Sequence, residues 1–496
     1  MRKPRAWMIA TAFLVSGPSL AADCTDPLAA AASLAGETLD LAALHGFYRQ
    51  GDGCLWNDGT AASLRAALAM LTEDGLDPEQ FHGSALAGPD DGAHAAERDL
   101  LLTDAALAYA RAMSTGRVDP VTLPDQIDFP HREVDAAPAL RAALDRGEVV
   151  AWLAALPPDE PQYAALKQAL ARYRGFTPWD AIPATSTAIE PGQRSPLIPQ
   201  LKRRLAAEAE LLAVDAGDAL DGTVLEALKH FQRRHGLTAD GRLGKQSLAV
   251  LNVPLSERID QITANLERWR EVARLLPPTR VEVNVAAALV TILRDGEAVS
   301  QMRAVVGDAT HQTPMLISSI RDVEINPPWI VPASIIRKEI MPRQRRDPTY
   351  LEREAMTWRD GQLVQSPGAR NALGRLKFEF SNPFSIYLHD TPMHKLFALD
   401  FRLLSHGCVR LEHPLDLAQT LLDEASADPI QQAIAGGGTS RMRLPAAMPV
   451  AVLYWSVYVE ADGTVAFRDD LYRRDARLAA ALHAPRHGPA GTGTLL

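Results

Sequence analysis

Two changes of pattern predict a multidomain α+β chain, helical first and mainly β last. Up to Pro277-Pro278 apolar residues recur at helical spacing, and from Arg280 onward they alternate with period two. A stretch rich in Pro, Thr, Ser and Gly, Trp179 to Ser195, divides the helical part. Length agrees, since 496 residues make about three domains at roughly 150 residues each. With 47% hydrophobic and 23% charged residues, each domain can bury a core. The net charge of −10 argues against nucleic acid as a partner, which demands a basic face.

Residues 1–21 read as a secretory signal. Arg2, Lys3 and Arg5 form its basic end, and Trp7 to Val15 an apolar core too short to span a bilayer. Ser19-Leu20-Ala21 fits a small-x-small cleavage site. The expected location is therefore the periplasm, with no transmembrane span after cleavage. Three cysteines then remain. In an oxidising compartment Cys24 and Cys54 can pair and close a loop of about 30 residues, worth roughly 3.5 kcal/mol by loop-closure entropy. Cys408 is left odd, as a free nucleophile requires.

Residues 22–178 are predicted as a helical scaffold. Ala61 to Leu71 and Leu100 to Met113 carry helical periodicity, and Gly75-Leu76-Asp77-Pro78 is a helix stop followed by a start. After the linker 179–195, residues 196–252 form a compact unit. Leu197, Leu201 and Leu205 lie on one helix. Asp221 caps a second, which buries Val224, Leu225, Leu228 and Phe231, and a short third holds Leu248 and Leu251. Residues 253–278 read as one connecting amphipathic helix with Ile259, Ile262, Leu266 and Trp269 on a face. Residues 279–474 are the β unit. Asp295-Gly296 and Asp462-Gly463 mark hairpins. About forty polar residues, 331–372, interrupt the strands and suggest a lid. Residues 475–496 form a tail, its last part left without structure.

The chemistry concentrates in Ser405-His406-Gly407-Cys408-Val409-Arg410, with His389 upstream in Tyr387-Leu388-His389-Asp390-Thr391-Pro392. A thiol needs a base, and histidine is the side chain best tuned for that at neutral pH. The stretch Leu403 to Leu411 suits a strand or a strand-ending turn. If extended, His406, Cys408 and Arg410 share a face, and two cations would lower the thiol pKa. Gly407 lets the backbone turn sharply, and the Gly407 and Cys408 amides could meet an oxyanion. His389, His394, His406 and Cys408 match no usual zinc spacing, so no metal is expected.

A histidine, a gap, then Ser-His-Gly-Cys-hydrophobic-Arg resembles the YkuD-type L,D-transpeptidase catalytic domain. Arg410 stands where the commonest pattern has Asn, which is typical of the YcbB-like branch. That branch is also resembled by Leu55-Trp56-Asn57-Asp58-Gly59, Gly75-Leu76-Asp77-Pro78 and Thr103-Asp104-Ala105 through Gly116-Arg117-Val118-Asp119-Pro120. The run Phe231 to Leu237 with Asp240-Gly241-Arg242-Leu243-Gly244 resembles the three-helix peptidoglycan-binding domain. The resemblance implies Cys408 as nucleophile and His389 as base, oriented through the Asp390 carbonyl. His406 and Gly407 would shape the oxyanion site, and Ser405, Asp390 and Arg410 would help to place the substrate. It implies 3→3 cross-linking of peptidoglycan from tetrapeptide stems through a cysteine acyl-enzyme, with no cofactor. Expected partners are stem peptides, glycan strands and cell-wall synthesis proteins. Two alternatives share these residues: an L,D-carboxypeptidase and an enzyme linking or cleaving peptidoglycan and protein. A third, of another class, is a non-catalytic wall-binding scaffold.

Overall fold

The computed structural model describes residues 26–485 except 35, 49–52, 89–93, 131–133 and 423–426. The expected signal 1–21 and Cys24 lie outside the described residues. Cys54 is disulfide-bonded and Cys408 is a free thiol.

The N-terminal helices pack around Ala95–Thr115, whose buried face includes Leu100, Ala105, Ala106 and Met113. Asp99 is buried on this helix and accepts from the Leu55 and Trp56 amides at 2.7 and 2.9 Å and from the Tyr48 hydroxyl at 2.6 Å. Asn57 follows and closes a capping box with Thr60 at the start of helix Asp58–Ala69. Gly75 ends one short helix in the left-handed region and Asp77 caps the next, as the sequence predicts.

The second unit has three helices, Ile198–Ala207, Gly222–Arg234 and Lys245–Leu251, around Leu201, Leu228, Phe231 and Leu251. Asp221 stands at the N-cap without a capping side-chain bond, unlike the expected cap.

The described residues form fifteen strands, the first only two residues long. They are β1 (Ile127–Asp128), β2 (Arg280–Asn284), β3 (Leu289–Arg294), β4 (Glu297–Gly307), β5 (Met315–Ile325), β6 (Trp329–Ile330), β7 (Met356–Arg359), β8 (Gln362–Gln365), β9 (Leu376–Phe380), β10 (Leu388–His389), β11 (Leu403–Ser405), β12 (Val409–Leu411), β13 (Ser440–Leu453), β14 (Val457–Val459) and β15 (Val465–Phe467). The main sheet runs β1-β5-β13-β2-β3-β4-β12-β10-β9, and β9 pairs back with β5, so the sheet closes on itself. Closure removes the free edges and wraps a core of Val281, Val290, Ile320, Phe378, Leu388 and Val409. The β3–β4 hairpin turns at Asp295 and Gly296, both at positive φ, as a two-residue primed turn requires.

Between β5 and β9 the insert builds its own small unit. The sheet β6-β8-β7 packs with helical turns from Ala333 to Arg346 around Val331, Ile340, Met356 and Leu363.

The connecting helix Leu255–Val272 differs from the amphipathic expectation, because its charged side is buried too. Its Trp269 ring stacks on Trp455 of the barrel at 4.4 Å, while Glu267 pairs with Arg270 at 2.6 Å. Arg268 reaches Asp475 at 2.6 Å. Asp475 belongs to a helix, Arg474–His483, that opens the expected tail and buries Leu478 and Leu482 in the N-terminal core. The sequence analysis names no helix in the first part of this tail, because its apolar stripe has no meaning until the scaffold is there to cover it.

Candidate active site

The sequence from β11 to β12 sets the site. Leu403–Ser405 runs parallel to β4 and Val409–Leu411 antiparallel to it, so the chain must turn between them. Gly407 makes that turn at φ +111°, a region that side chains avoid. The alternative of a continuous strand is therefore corrected, and His406 and Cys408 do not alternate along one face. His406 turns outward to pair with Glu339 of the insert at 2.8 Å and lies 4.7 Å from the His311 ring.

Ser405 is buried and ties the turn. Its hydroxyl donates to the Cys408 carbonyl at 2.6 Å and accepts from the Gly407 amide at 3.1 Å. Thr313 donates to the Gly407 carbonyl at 2.8 Å. The Gly407 amide is thus engaged, which corrects the expectation that it meets an oxyanion.

β10 lies parallel to β12, with Leu388 beside Val409 and His389 beside Arg410. Tyr387 therefore faces Cys408 across the pair, and its carbonyl accepts from the Val409 amide at 3.1 Å. His389 is buried, and its Nδ1 lies 2.5 Å from the Asp390 carbonyl. A carbonyl only accepts, so Nδ1 carries the proton in the neutral ring and Nε2 is the free acceptor. Asp390 is itself held by the Arg375 and Thr391 amides, both at 2.7 Å.

The electrostatics differ from the expected pair of cations around a thiolate. Burial pushes the Cys408 thiol up; hydrogen bonds from Tyr387, with Arg410 and Lys377, act the other way without prevailing. Burial, then Arg410 and Lys377, hold His389 down at about 3. The same two cations act on both groups, and the Tyr387 ring lies 5.6 Å from His389. Cys408 and His389 thus have Arg410 and Lys377 as common neighbours, and burial favours the neutral form of each.

Tyr387 is the residue the sequence reading missed. Its hydroxyl interacts with Cys408 and with Trp329 at the root of the insert, and its pKa is raised, first by burial and then by Cys408. The signal available was its place two residues before His389, which puts both on one face of a strand.

Comparison with known proteins follows the same division. Residues 42–170 match a family described as "Scaffold domain", residues 194–251 one described as "Putative peptidoglycan binding domain", and residues 278–440 one described as "L,D-transpeptidase catalytic domain". A curated relative from Haemophilus influenzae, named "Putative L,D-transpeptidase", is 28% identical over 268 residues, 49% of this chain and 54% of the relative. The chain thus spans about half the length of the curated relative it matches. Among solved structures, an L,D-transpeptidase from Mycobacterium smegmatis is 15% identical, with 35% of this chain and 57% of that one covered and a TM-score of 0.20. An L,D-transpeptidase from Xylanimonas cellulosilytica is 15% identical, with 55% and 100% covered and a TM-score of 0.17. Superpositions that weak add nothing to the reading of the site. The family matches suffice: this chain carries a YkuD L,D-transpeptidase catalytic domain, together with a scaffold domain and a peptidoglycan-binding domain.

Proposed function

We propose that this chain forms 3→3 cross-links in peptidoglycan outside the cytoplasm, in the periplasm, through an acyl group carried on Cys408. The observation that carries the reading is a free thiol at a tight turn, beside a strand whose neutral histidine has its Nε2 unprotonated. Cys408 Sγ adds to the carbonyl carbon of the third stem residue as its proton passes to His389 Nε2. The oxyanion is met by the Cys408 amide, which has no partner among the described residues, and by the Tyr387 hydroxyl. Collapse breaks the C–N bond, and His389 returns the proton to the departing D-Ala amine. An amine of a second stem then attacks the thioester, and the sulfur leaves as a thiol.

Because both groups rest neutral, the proton moves only as the carbonyl arrives. Burial makes a standing thiolate costly, and the Tyr387 hydrogen bonds, Arg410 and Lys377 do not offset it. His406 and Gly407 shape the turn, Ser405 and Asp390 brace it, and Arg410 faces the substrate's charge. Residues 331–372 act as a lid that keeps water from the thioester until the amine enters. Cys24 is the partner this reading gives to Cys54.

Intact-protein mass spectrometry with a tetrapeptide donor tests the proposal. The expected adduct is the donor less D-Ala, absent in Cys408→Ala. An unmutated protein that gains no mass would overturn it. Muropeptide analysis of the products distinguishes an amine acceptor from water.

A further inference from the structure

The proposed attack on the thioester leaves one proton without an acceptor. A stem amine reaches the site as an ammonium, since alkylamines are protonated at neutral pH. It loses two protons on the way to an amide. One passes from the attacking nitrogen through His389 to the departing sulfur. The other must leave earlier, because an ammonium has no lone pair to attack with. His389 is badly placed for that first proton. It is 4% exposed and stands in register with Arg410 on β12 and with Lys377 on β9. Burial, then these cations, hold its pKa at about 3.

A second imidazole meets the need from the other side of the turn. His406 precedes Cys408 by two residues, at most roughly 7 Å between Cα atoms. Its Nε2 lies 2.8 Å from Glu339 Oε1, and the two side chains are 40% and 33% exposed. A carboxylate only accepts, so the ring proton is on Nε2 and Nδ1 is left as an acceptor. Nδ1 has no partner among the described residues. A solvent-facing imidazole oriented by a carboxylate beside a nucleophile is the arrangement of a general base. Glu339 comes from a π-helical turn of the insert, Ile336–Ile340, a rare widening found mostly at functional sites. The surroundings favour a cation. The His311 ring lies 4.7 Å from that of His406, and its Nδ1 faces Asp308 at 3.1 Å. Burial pushes the Asp308 carboxyl up, but hydrogen bonds from Thr310 and His311 outweigh this and bring it to about 2, so it stays charged. The Asp308 amide donates to the Ser405 carbonyl at 2.9 Å, which ties this loop to the turn.

We infer that His406 Nδ1 takes the first proton of the acceptor ammonium, with Glu339 orienting the ring and attracting the cation. The ammonium N–H bond breaks and its electron pair stays on nitrogen. Glu339 holds the imidazolium until solvent removes the proton. The free amine then attacks the thioester and passes its second proton through His389 to sulfur. Carboxylates at this end of the site favour a cationic acceptor over water. Since Glu339 belongs to the insert, the base is complete only while the insert rests on the turn. The inference rests on the proposed acyl-enzyme and adds to it the residue that activates the acceptor.

The test starts from the full chain acylated by the tetrapeptide donor and follows loss of the adduct by intact-protein mass spectrometry. Two nucleophiles are compared. Nα-acetyl-lysine amide is a cation at neutral pH, whereas hydroxylamine is uncharged there and needs no first deprotonation. The ratio of their rates should fall about 10²-fold in His406→Gln. In Glu339→Gln, which can keep the hydrogen bond but removes the charge, it should fall about tenfold or more. An unchanged ratio in either variant overturns the inference. Equal slowing of both nucleophiles does so too, since the pair would then only latch the insert. If His406→Gln forms no acyl-enzyme, Glu339→Gln decides alone. An unmutated chain that gains no adduct defeats the cross-linking proposal and this inference with it, while normal acylation with an unchanged ratio defeats this inference alone.

Discussion

At Cys408 burial raises the thiol pKa, and the Tyr387 hydrogen bonds, Arg410 and Lys377 do not restore it. The catalytic advantage then lies in charge that develops during attack, where preorganised donors act most strongly. Tyr387→Phe removes one such donor. Single-turnover acylation should slow by about 10²–10³-fold, with donor binding little changed. An equal loss in donor affinity would place Tyr387 in binding instead. His389 gives a separate pH signature. Its native pKa of about 3 lies below the unfolded 6.5. Between those values unfolding takes up a proton, so stability falls as pH falls through the window, by up to about 1.4 kcal/mol per pH unit. Denaturant titrations of His389→Gln should lack that part of the slope.

Among the elements, the insert is the one whose stability is its own. It rests on few buried side chains, Val331, Ile340, Met356 and Leu363, apart from the barrel core. Leu363→Ala should cost about 2–5 kcal/mol there, enough to melt the insert while the barrel stays folded. Hydrogen exchange should rise across 329–365 and not in β2 to β4. Uniform acceleration would mean that insert and barrel unfold together. The Glu339–His406 pair is part-exposed and contributes little to this balance, since surface ion pairs are worth roughly 0–1 kcal/mol. Its effect is on where the insert sits over the turn.

Across the whole molecule, scaffold, connecting helix and barrel share an apolar core that includes Tyr163, Leu170, Trp269, Trp455 and Phe467, while buried charge joins the three-helix unit to the scaffold. Glu208 of the three-helix unit is enclosed and bonds to Arg204 at 2.6 Å and to Tyr173 of the scaffold at 2.9 Å. Burial pushes its pKa up, but Arg234, Arg204 and Arg258 outweigh this and bring it to about 2. The depressed native value means that the stabilisation is complete above the unfolded 4.5 and is lost as pH falls from 4.5 to about 2. Glu208→Gln leaves buried guanidinium groups without their counter-charge, which costs about 3–5 kcal/mol. The thermal midpoint of the full chain should fall, with the acid-labile step between 4.5 and 2 diminished. An unchanged midpoint would show that the arginines are compensated elsewhere.

Much of this protein is local and so is written in the sequence. The capping box at Asn57, the stop and start at Gly75 and Asp77, the hairpin at Asp295-Gly296 and the turn at Gly407 each depend on residues within a few positions of one another. The odd thiol and its histidine were legible for the same reason, as spacing along two short strands. What only the tertiary structure decided is which groups end up without water. The burial that raises Cys408, the facing of Tyr387 across a parallel pair, the enclosed charges of the connecting helix and the enclosure of His235 between Phe231 and Phe467 all arise where distant segments close over one another. Desolvation depends on everything that surrounds a group, and no window of sequence contains that.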